Sequence, residues 1–195
     1  MRTATIHRKT RETEVDIELT IDGSGKYQIN TGIGFFDHML TQIAVHGLFD
    51  LTLRAKGDLE VDFHHTVEDC GLVLGTAFAE ALGDKKGIVR TAAASVPMDD
   101  ALGQVVIDFS GRPYALIRVP WTSAEVGGLP TSLLEHFFQS FASSCRANLH
   151  IEVPYGEDNH HIAESIFKAF SRAASQAAVI DPRRAGAIPS SKGRL

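Results

Sequence analysis

The sequence predicts an α+β fold made of two copies of a ββαβα half-domain, each a mixed sheet covered on one face by two helices. Three observations carry this expectation. The pentapeptide HHTVE at His64 to Glu68 returns as HHIAE at His160 to Glu164, 96 residues later in a chain of 195. An acid followed by histidine and two large apolar residues, Asp37, His38, Met39 and Leu40, is answered 98 positions on by Glu135, His136, Phe137 and Phe138. Each acid–His segment is also preceded by two strand-like runs around a turn and followed by one more. A repeat of this length is too long for a solenoid, and a sheet buries its apolar face most simply under its own helices.

In the first half, Val15 to Ile21 and Tyr27 to Asn30 flank the turn Asp22, Gly23, Ser24, Gly25 and read as a hairpin. A helix follows over 34 to 46, with His38, Gln42 and His46 sharing one face at four-residue spacing. Leu48 to Lys56 alternates with the period of a half-buried strand. The next helix opens at His64 and runs through Leu72 to Leu82, with Gly71 and Gly75 placed to let a neighbour approach closely. The second half repeats the order. Val105 to Phe109 and Tyr114 to Val119 flank Ser110 to Pro113, then come the helix around His136, the strand Ala147 to Pro154, and the helix from His160 through Ser165 to Ala178. The expected organisation is a first half-domain at 1–90, a second at 91–182, and a C-terminal phosphate-binding tail at 183–195.

With 44% hydrophobic and 22% charged residues, the chain supports a buried core and is not a disordered polypeptide. It has no apolar run of the roughly 18 to 20 residues a membrane helix needs, and Met1 to Glu14 is too charged for a signal peptide. A soluble, cytoplasmic protein with no membrane partner is expected. The net charge of −5 argues against nucleic acid as a partner. That charge is uneven, because Arg183, Arg184, Lys192 and Arg194 follow the last acid, Asp181. A basic tail on an acidic body suggests a local task such as holding an anion. The two cysteines, Cys70 and Cys145, lack a CxxC partner and read as small buried hydrophobes.

Six of the nine histidines fall in the repeated motifs. Successive helical residues point about 100° apart, so His64 and His65 suit two different ions, while either can share a face with Glu68. One such pair could simply be a polar helix start. Its repetition with the same glutamate offset points to metal, and six imidazoles with two carboxylates divide into three His and one carboxylate for each of two ions. Nitrogen and carboxylate donors without thiolate suit Mn, Fe, Co, Ni or Zn. The pattern is not HExxH, and there is no GxSxG elbow, GxxxxGKS loop or nucleophilic cysteine context, which leaves a metal lyase, isomerase or hydrolase. Ile188 to Gly193, with Ser190, Ser191 and Lys192, can surround a phosphate, helped by Arg90 and Arg112. Each also has a blander reading as solvated surface, and His46 could merely cap its helix.

The chain resembles the imidazoleglycerol-phosphate dehydratase family over nearly its whole length. The likeness is carried by RKTRET at Arg8 to Thr13, GFFDHML at Gly34 to Leu40, HHTVED at His64 to Asp69 and PMDDAL at Pro97 to Leu102. It continues in SGRPY at Ser110 to Tyr114, LLEHFFQSF at Leu133 to Phe141, HHIAESIFKAF at His160 to Phe170 and DPRRAGAIPSSKG at Asp181 to Gly193. Cys70 after HHTVED and the DNHH lead into His160 are its slight departures. The resemblance implies dehydration of imidazole glycerol phosphate to imidazole acetol phosphate in histidine biosynthesis. It implies two Mn2+ per subunit, and a homo-oligomer of octahedral symmetry, a 24-mer, with metal sites at subunit interfaces. The implied metal ligands are His38, His64, His65, Glu68, His136, His160, His161 and Glu164. The implied substrate set is Glu12, Gln42, His46, Arg90, Arg112, Lys168, Ser190, Ser191 and Lys192, and the implied catalytic carboxylates are Glu12, Glu164 and Glu68.

The reaction chemistry accords with these implied groups. The proton removed sits on a carbon with no adjacent carbonyl, so the substrate's imidazole must be the electron source. Held as a manganese-bound imidazolate, the ring can expel the neighbouring hydroxyl through a diazafulvene-like intermediate, a carboxylate takes the proton, and the enol becomes the ketone. Glu164 or Glu12 suits the proton transfer, and sequence leaves the choice open. Two rivals remain at this point: a non-catalytic metal-storage assembly, which gives no role to Arg90, Arg112 and the tail, and a binuclear metal hydrolase.

Overall fold

The computed structural model describes residues 1–194; Leu195, the end of the expected tail, lies outside them. The first half contains β1 (Thr3–Lys9), β2 (Thr13–Thr20), β3 (Tyr27–Asn30), α1 (Gly34–Gly47), β4 (Asp50–Gly57) and α2 (His64–Leu82). The second contains β5 (Thr91–Met98), β6 (Ala101–Asp108), β7 (Tyr114–Arg118), a small ribbon of β8 (Glu125–Val126) and β9 (Leu129–Pro130), α3 (Thr131–Cys145), β10 (Asn148–Glu152) and α4 (Asn159–Ala178). A 3-10 turn at Pro182–Arg184 opens the tail. The duplicated α+β architecture is present, with two mixed four-stranded sheets ordered β1-β2-β4-β3 and β5-β6-β10-β7.

Each half carries one strand more than the ββαβα expectation. β1 and β5 are edge strands. In β1 Ala4 alone is buried, and β5 offers mainly small residues, so neither shows the apolar alternation that marks a half-buried strand. The expected hairpins are also corrected. β2 and β3 do not pair with each other: β4 lies between them, antiparallel to β2 and parallel to β3, as β10 lies between β6 and β7. Turn residues at 22–25 mark a change of direction but not which strand will be the neighbour. The inserted strand carries Leu51 and Leu53, both fully buried, and a central position gives both its edges backbone partners. Asp50 ties the connection down over the end of β4, its Oδ1 accepting from the backbone N–H groups of Ser24 at 2.8 Å and Lys26 at 3.0 Å.

Val15, Ile17 and Leu19 of one sheet and Val105, Ile107, Leu149 and Ile151 of the other turn inward. The helices lie over these faces and pack in pairs that cross the duplication, α2 on α3 and α1 on α4. Phenylalanines fill the junction, with edge-to-face contacts of 5.4 Å for both Phe36–Phe137 and Phe78–Phe141. Gly71 and Gly75 do allow close approach: a Cβ on either would run into α3, against the Phe137 and Phe141 carbonyl oxygens respectively. Cys70 and Cys145 are free and buried, and burial pushes the Cys145 thiol up to about 12. No helix among the described residues is long and apolar enough to cross a membrane.

Candidate active site

The cross-paired helices decide which repeated residues meet. On α1, His38 faces α4, and its Nε2 lies 2.7 Å from Glu164 Oε1; His160 Nε2 lies 3.2 Å from the same oxygen. On α3, His136 faces α2, with Nε2 3.5 Å from Glu68 Oε1, while His64 Nε2 is 3.9 Å from Glu68 Oε2. Each cluster thus takes one histidine from an acid–His helix of one half and a His/Glu pair from the HHxxE helix of the other. The potential ligand atoms in each set lie within 4.8 Å of one another. Spacing along the chain gives no hint of this exchange.

Each HHxxE helix is started by an aspartate that sequence reasoning passed over. Asp62 accepts the His64 backbone N–H at 2.7 Å, and Asp158 accepts that of His160 at 2.6 Å. The readable signal was an aspartate two residues before each pair, the position from which a side-chain oxygen satisfies a free N–H of the first turn. Asp37 plays a related part for α1, its carboxylate accepting from the Thr31 backbone at 2.8 Å and hydroxyl at 2.6 Å.

Within one chain each cluster gathers two histidines and one glutamate, and His65 and His161, the remaining two of the six expected imidazole ligands, lie outside both. His65 and His161 stand apart because adjacent helical residues diverge; the ring centroids are 6.1 Å apart in the first pair and 6.3 Å in the second. His65 Nδ1 lies 3.0 Å from Asp58 Oδ2, and His161 Nδ1 lies 2.5 Å from Asp100 Oδ1. Their Nε2 atoms face exposed carboxylates, Glu12 at 3.9 Å and Asp99 at 3.4 Å. Hydrogen bonding to Asp58 raises the pKa of His65, and bonding to Asp100 raises that of His161.

The donor sets fit a divalent transition metal. Both are imidazole and carboxylate. In the second cluster His136 Nε2 is buried yet has no hydrogen-bond partner among the described residues, a costly state for a ring nitrogen unless something else binds it. Burial opposes ionisation of Glu164, but Lys168, four residues on, and the bonds to His38 and His160 outweigh it and hold its carboxyl down to about 2. An anion so stabilised is a good ligand and a poor proton acceptor.

The residues that the resemblance implies for the substrate fall in three places. Gln42, His46 and Lys168 continue the α1/α4 contact beyond the first cluster: Gln42 Nε2 donates to the His38 carbonyl at 3.4 Å, Lys168 pairs with Glu164, and Ser171 Oγ donates to the Gln42 carbonyl at 3.1 Å. Burial, then the neighbouring Lys168 and Arg172 charges, lower the pKa of His46. Glu12 stands beside His65 at the tip between β1 and β2. The remaining groups lie at the far end of α4. There Arg90 donates its backbone N–H to the Ala177 carbonyl at 2.8 Å, and its guanidinium grips Asp108 through Nε at 2.7 Å and Nη2 at 2.9 Å. Arg112 is exposed in the turn after β6. The tail comes back to this point, with Pro189 O accepting from Arg90 Nη1 at 2.7 Å and Ala187 O from the Gly87 N–H at 2.9 Å. Ser190 is half-buried, and Ser191 and Lys192 are exposed. The chain itself therefore anchors the tail as far as Pro189, although few apolar residues are available for the task.

The family model for imidazoleglycerol-phosphate dehydratase matches residues 31–174. A protein of that name from Gluconacetobacter diazotrophicus is 56% identical over 194 residues, covering 100% of this chain and 98% of its own. Its namesake from Zymomonas mobilis is 54% identical over 194 residues, covering 100% of this chain and 99% of its own. Among solved structures, the imidazoleglycerol-phosphate dehydratase of Staphylococcus aureus superposes with a TM-score of 0.83 at 37% identity, covering 92% of this chain and 99% of that one. The Pyrococcus furiosus structure, in complex with (S)-C348, gives 0.85 at 37% identity, covering 97% and 100%. With whole-length relatives, a matching fold and the paired histidine–glutamate clusters in place, this chain belongs to the imidazoleglycerol-phosphate dehydratase family, the hydro-lyases of histidine biosynthesis.

Proposed function

We propose that the chain is a cytoplasmic enzyme that dehydrates imidazole glycerol phosphate to imidazole acetol phosphate with two Mn2+ per subunit, held by His38, His160 and Glu164 and by His64, His136 and Glu68. The observation that carries the reading is the pair of two-histidine, one-glutamate clusters assembled across the duplication. Bound there, the ions supply Lewis acidity toward the substrate's imidazole ring.

The chain's own groups divide the remaining work. The hydroxyl on the carbon attached to the ring leaves with its bonding pair, Glu12 takes the proton from the next carbon, whose C–H pair becomes the new double bond, and the departing hydroxide together with that proton makes up the one water lost. The enol then gains a proton at the carbon attached to the ring, loses its O–H proton and becomes the ketone. Glu12 suits this better than Glu164, whose carboxylate is committed to Lys168 and two histidines. Glu68 belongs to the second cluster as a ligand. Arg112, Ser190, Ser191 and Lys192 hold the phosphate, and Arg90 holds the tail there through Pro189.

Distance supports a homo-oligomer with sites shared between subunits. Glu164 and Ala177, which bonds Arg90, are thirteen helical residues apart, so the metal cluster and the phosphate groups of one chain are separated by about 20 Å along α4. A glycerol phosphate arm cannot span that. Metal ligands of one copy and anion-binding groups of another complete the site, in keeping with a 24-mer, and the Nε2 atoms of His65 and His161, each beside an exposed carboxylate and outside both clusters, are the donors offered to a neighbour's ion.

The test strips the assembled protein with a chelator and restores Mn2+, following dehydration and particle size together. Activity and a large particle should both be lost and both return. Turnover or size indifferent to chelation, or release of phosphate in place of dehydration, would overturn the reading.

A further inference from the structure

The two histidines left out of the clusters are held alike, but from loops that do not correspond. His65 and His161 occupy matching positions of the repeat, and each has Nδ1 on an aspartate: Asp58 at 3.0 Å and Asp100 at 2.5 Å. Asp58 lies in the connection from β4 to α2, seven residues before its histidine. Asp100 lies at the tip between β5 and β6, 61 residues before its own. The residue 96 positions after Asp58 is Pro154, which has no carboxylate. The residue that precedes β2 as Asp100 precedes β6 is Glu12, and it faces the other ring nitrogen, Nε2. Simple inheritance of a duplicated sequence would keep the aspartates at equivalent positions. What recurs here is the contact.

Resting on the metal-dependent reading above, we propose that Asp58 and Asp100 are positioning residues that fix His65 and His161 in the Nδ1–H tautomer and lock each ring plane, so that Nε2 is presented as a metal donor. A neutral imidazole has one N–H and one lone pair, and a carboxylate that accepts from Nδ1 assigns the lone pair to Nε2. Two alternatives, a ring free to rotate or one carrying its proton on Nε2, would have to reorganise before binding. The two supports differ in rigidity. Asp100 Oδ2 also accepts the backbone N–H groups of Glu157 at 2.5 Å and Asp158 at 3.0 Å, whereas the Asp58 carboxylate has only His65 as a hydrogen-bond partner among the described residues. Removing the Asp100 carboxylate therefore loosens the start of α4 as well, and Asp58 gives the cleaner experiment.

The test compares Asp58→Ala, Asp58→Asn and Asp100→Asn with the parent protein. Imidazole 15N shifts are recorded on the metal-free chain at alkaline pH, where the rings are neutral, and Mn2+ binding is titrated by the electron paramagnetic resonance of the free ion. Asp58→Ala should move His65 from the Nδ1–H to the Nε2–H form and weaken Mn2+ binding about 10- to 100-fold. Asp58→Asn, whose Oδ1 still accepts a hydrogen bond, should keep the tautomer and recover much of the affinity, and Asp100→Asn should do the same for His161. A His65 ring that stays Nδ1–H in Asp58→Ala, or Mn2+ affinity unchanged there, would overturn the proposal. Failure of the parent protein to take up Mn2+ would instead remove the metal reading, and the tautomer measurement would still decide what Asp58 does.

Discussion

His38 Nε2 and Glu164 Oε1 lie 2.7 Å apart although 126 residues of chain separate them, and the contact joins the first half of the duplication to the second. The same oxygen serves His160, and the other carboxylate oxygen serves Lys168. Glu164→Gln keeps the shape and removes the charge. Bound manganese should fall from two ions per chain to one, the His64, His136 and Glu68 cluster keeping its own, and turnover should fall by at least a hundredfold. Metal analysis of the purified variant reads this directly; two ions retained would show that Glu164 is not a ligand.

Lys192→Ala tests the phosphate-binding role proposed for the tail. The tail remains tied to the body through Arg90 and Pro189, so the variant removes an ammonium without releasing the segment. Affinity for the substrate and for phosphate-bearing inhibitors should weaken by about 1.5 to 3 kcal/mol, as for the loss of a hydrogen bond to a charged group. Manganese content and affinity for a bare azole should not change. Equal losses for the azole and the phosphate ligand, measured by calorimetry, would place Lys192 in support of the fold or the metals.

His46 provides a stability test with a definite sign. Burial first, and then Lys168 and Arg172, put its folded pKa below the ordinary 6.5. Between those two values the unfolded chain binds a proton that the folded one does not. Its contribution is therefore complete above pH 6.5 and is lost as pH falls toward the folded value. His65 and His161, with raised values, act in the opposite sense, contributing most at low pH and losing it as pH rises through their folded values. Urea midpoints of the metal-free protein and of His46→Gln, compared across pH, isolate the His46 share. The parent's advantage should shrink below pH 6.5, and a difference independent of pH would refute the assignment.

Gly75→Ala probes the contact between α2 and α3. Alanine's better helix propensity would by itself add about 1 kcal/mol. Its methyl group would meet the Phe141 carbonyl and the Cys145 backbone nitrogen, which cannot turn aside as a side chain could. Overpacking of this kind costs about 1 to 3 kcal/mol, and the urea midpoint should fall. An unchanged or raised midpoint would mean that the helices have room to separate.

Much of the fold and the residue types of the clusters were legible without coordinates, because both are written locally. The repeated HHxxE segments announced the duplication, the alternation at Leu48 to Lys56 announced β4, and the glycines at 71 and 75 announced a close helix contact. Imidazole and carboxylate in repeated patterns marked residues that the fold gathers into two clusters. Local signals failed where a strand had little to bury, as in β1 and β5, and where a turn was read as though it chose its strand's partner. Tertiary structure alone decided that β4 and β10 insert between strands adjacent in sequence, that α1 lies on α4 and α2 on α3, and hence that His38 belongs with Glu164 and His136 with Glu68. It also decided that His65 and His161 face away, held by Asp58 and Asp100. The physical reason is that periodicity specifies the face a residue presents, whereas its partner is chosen by packing two sheets and four helices around one core, a non-local competition that chain spacing does not encode.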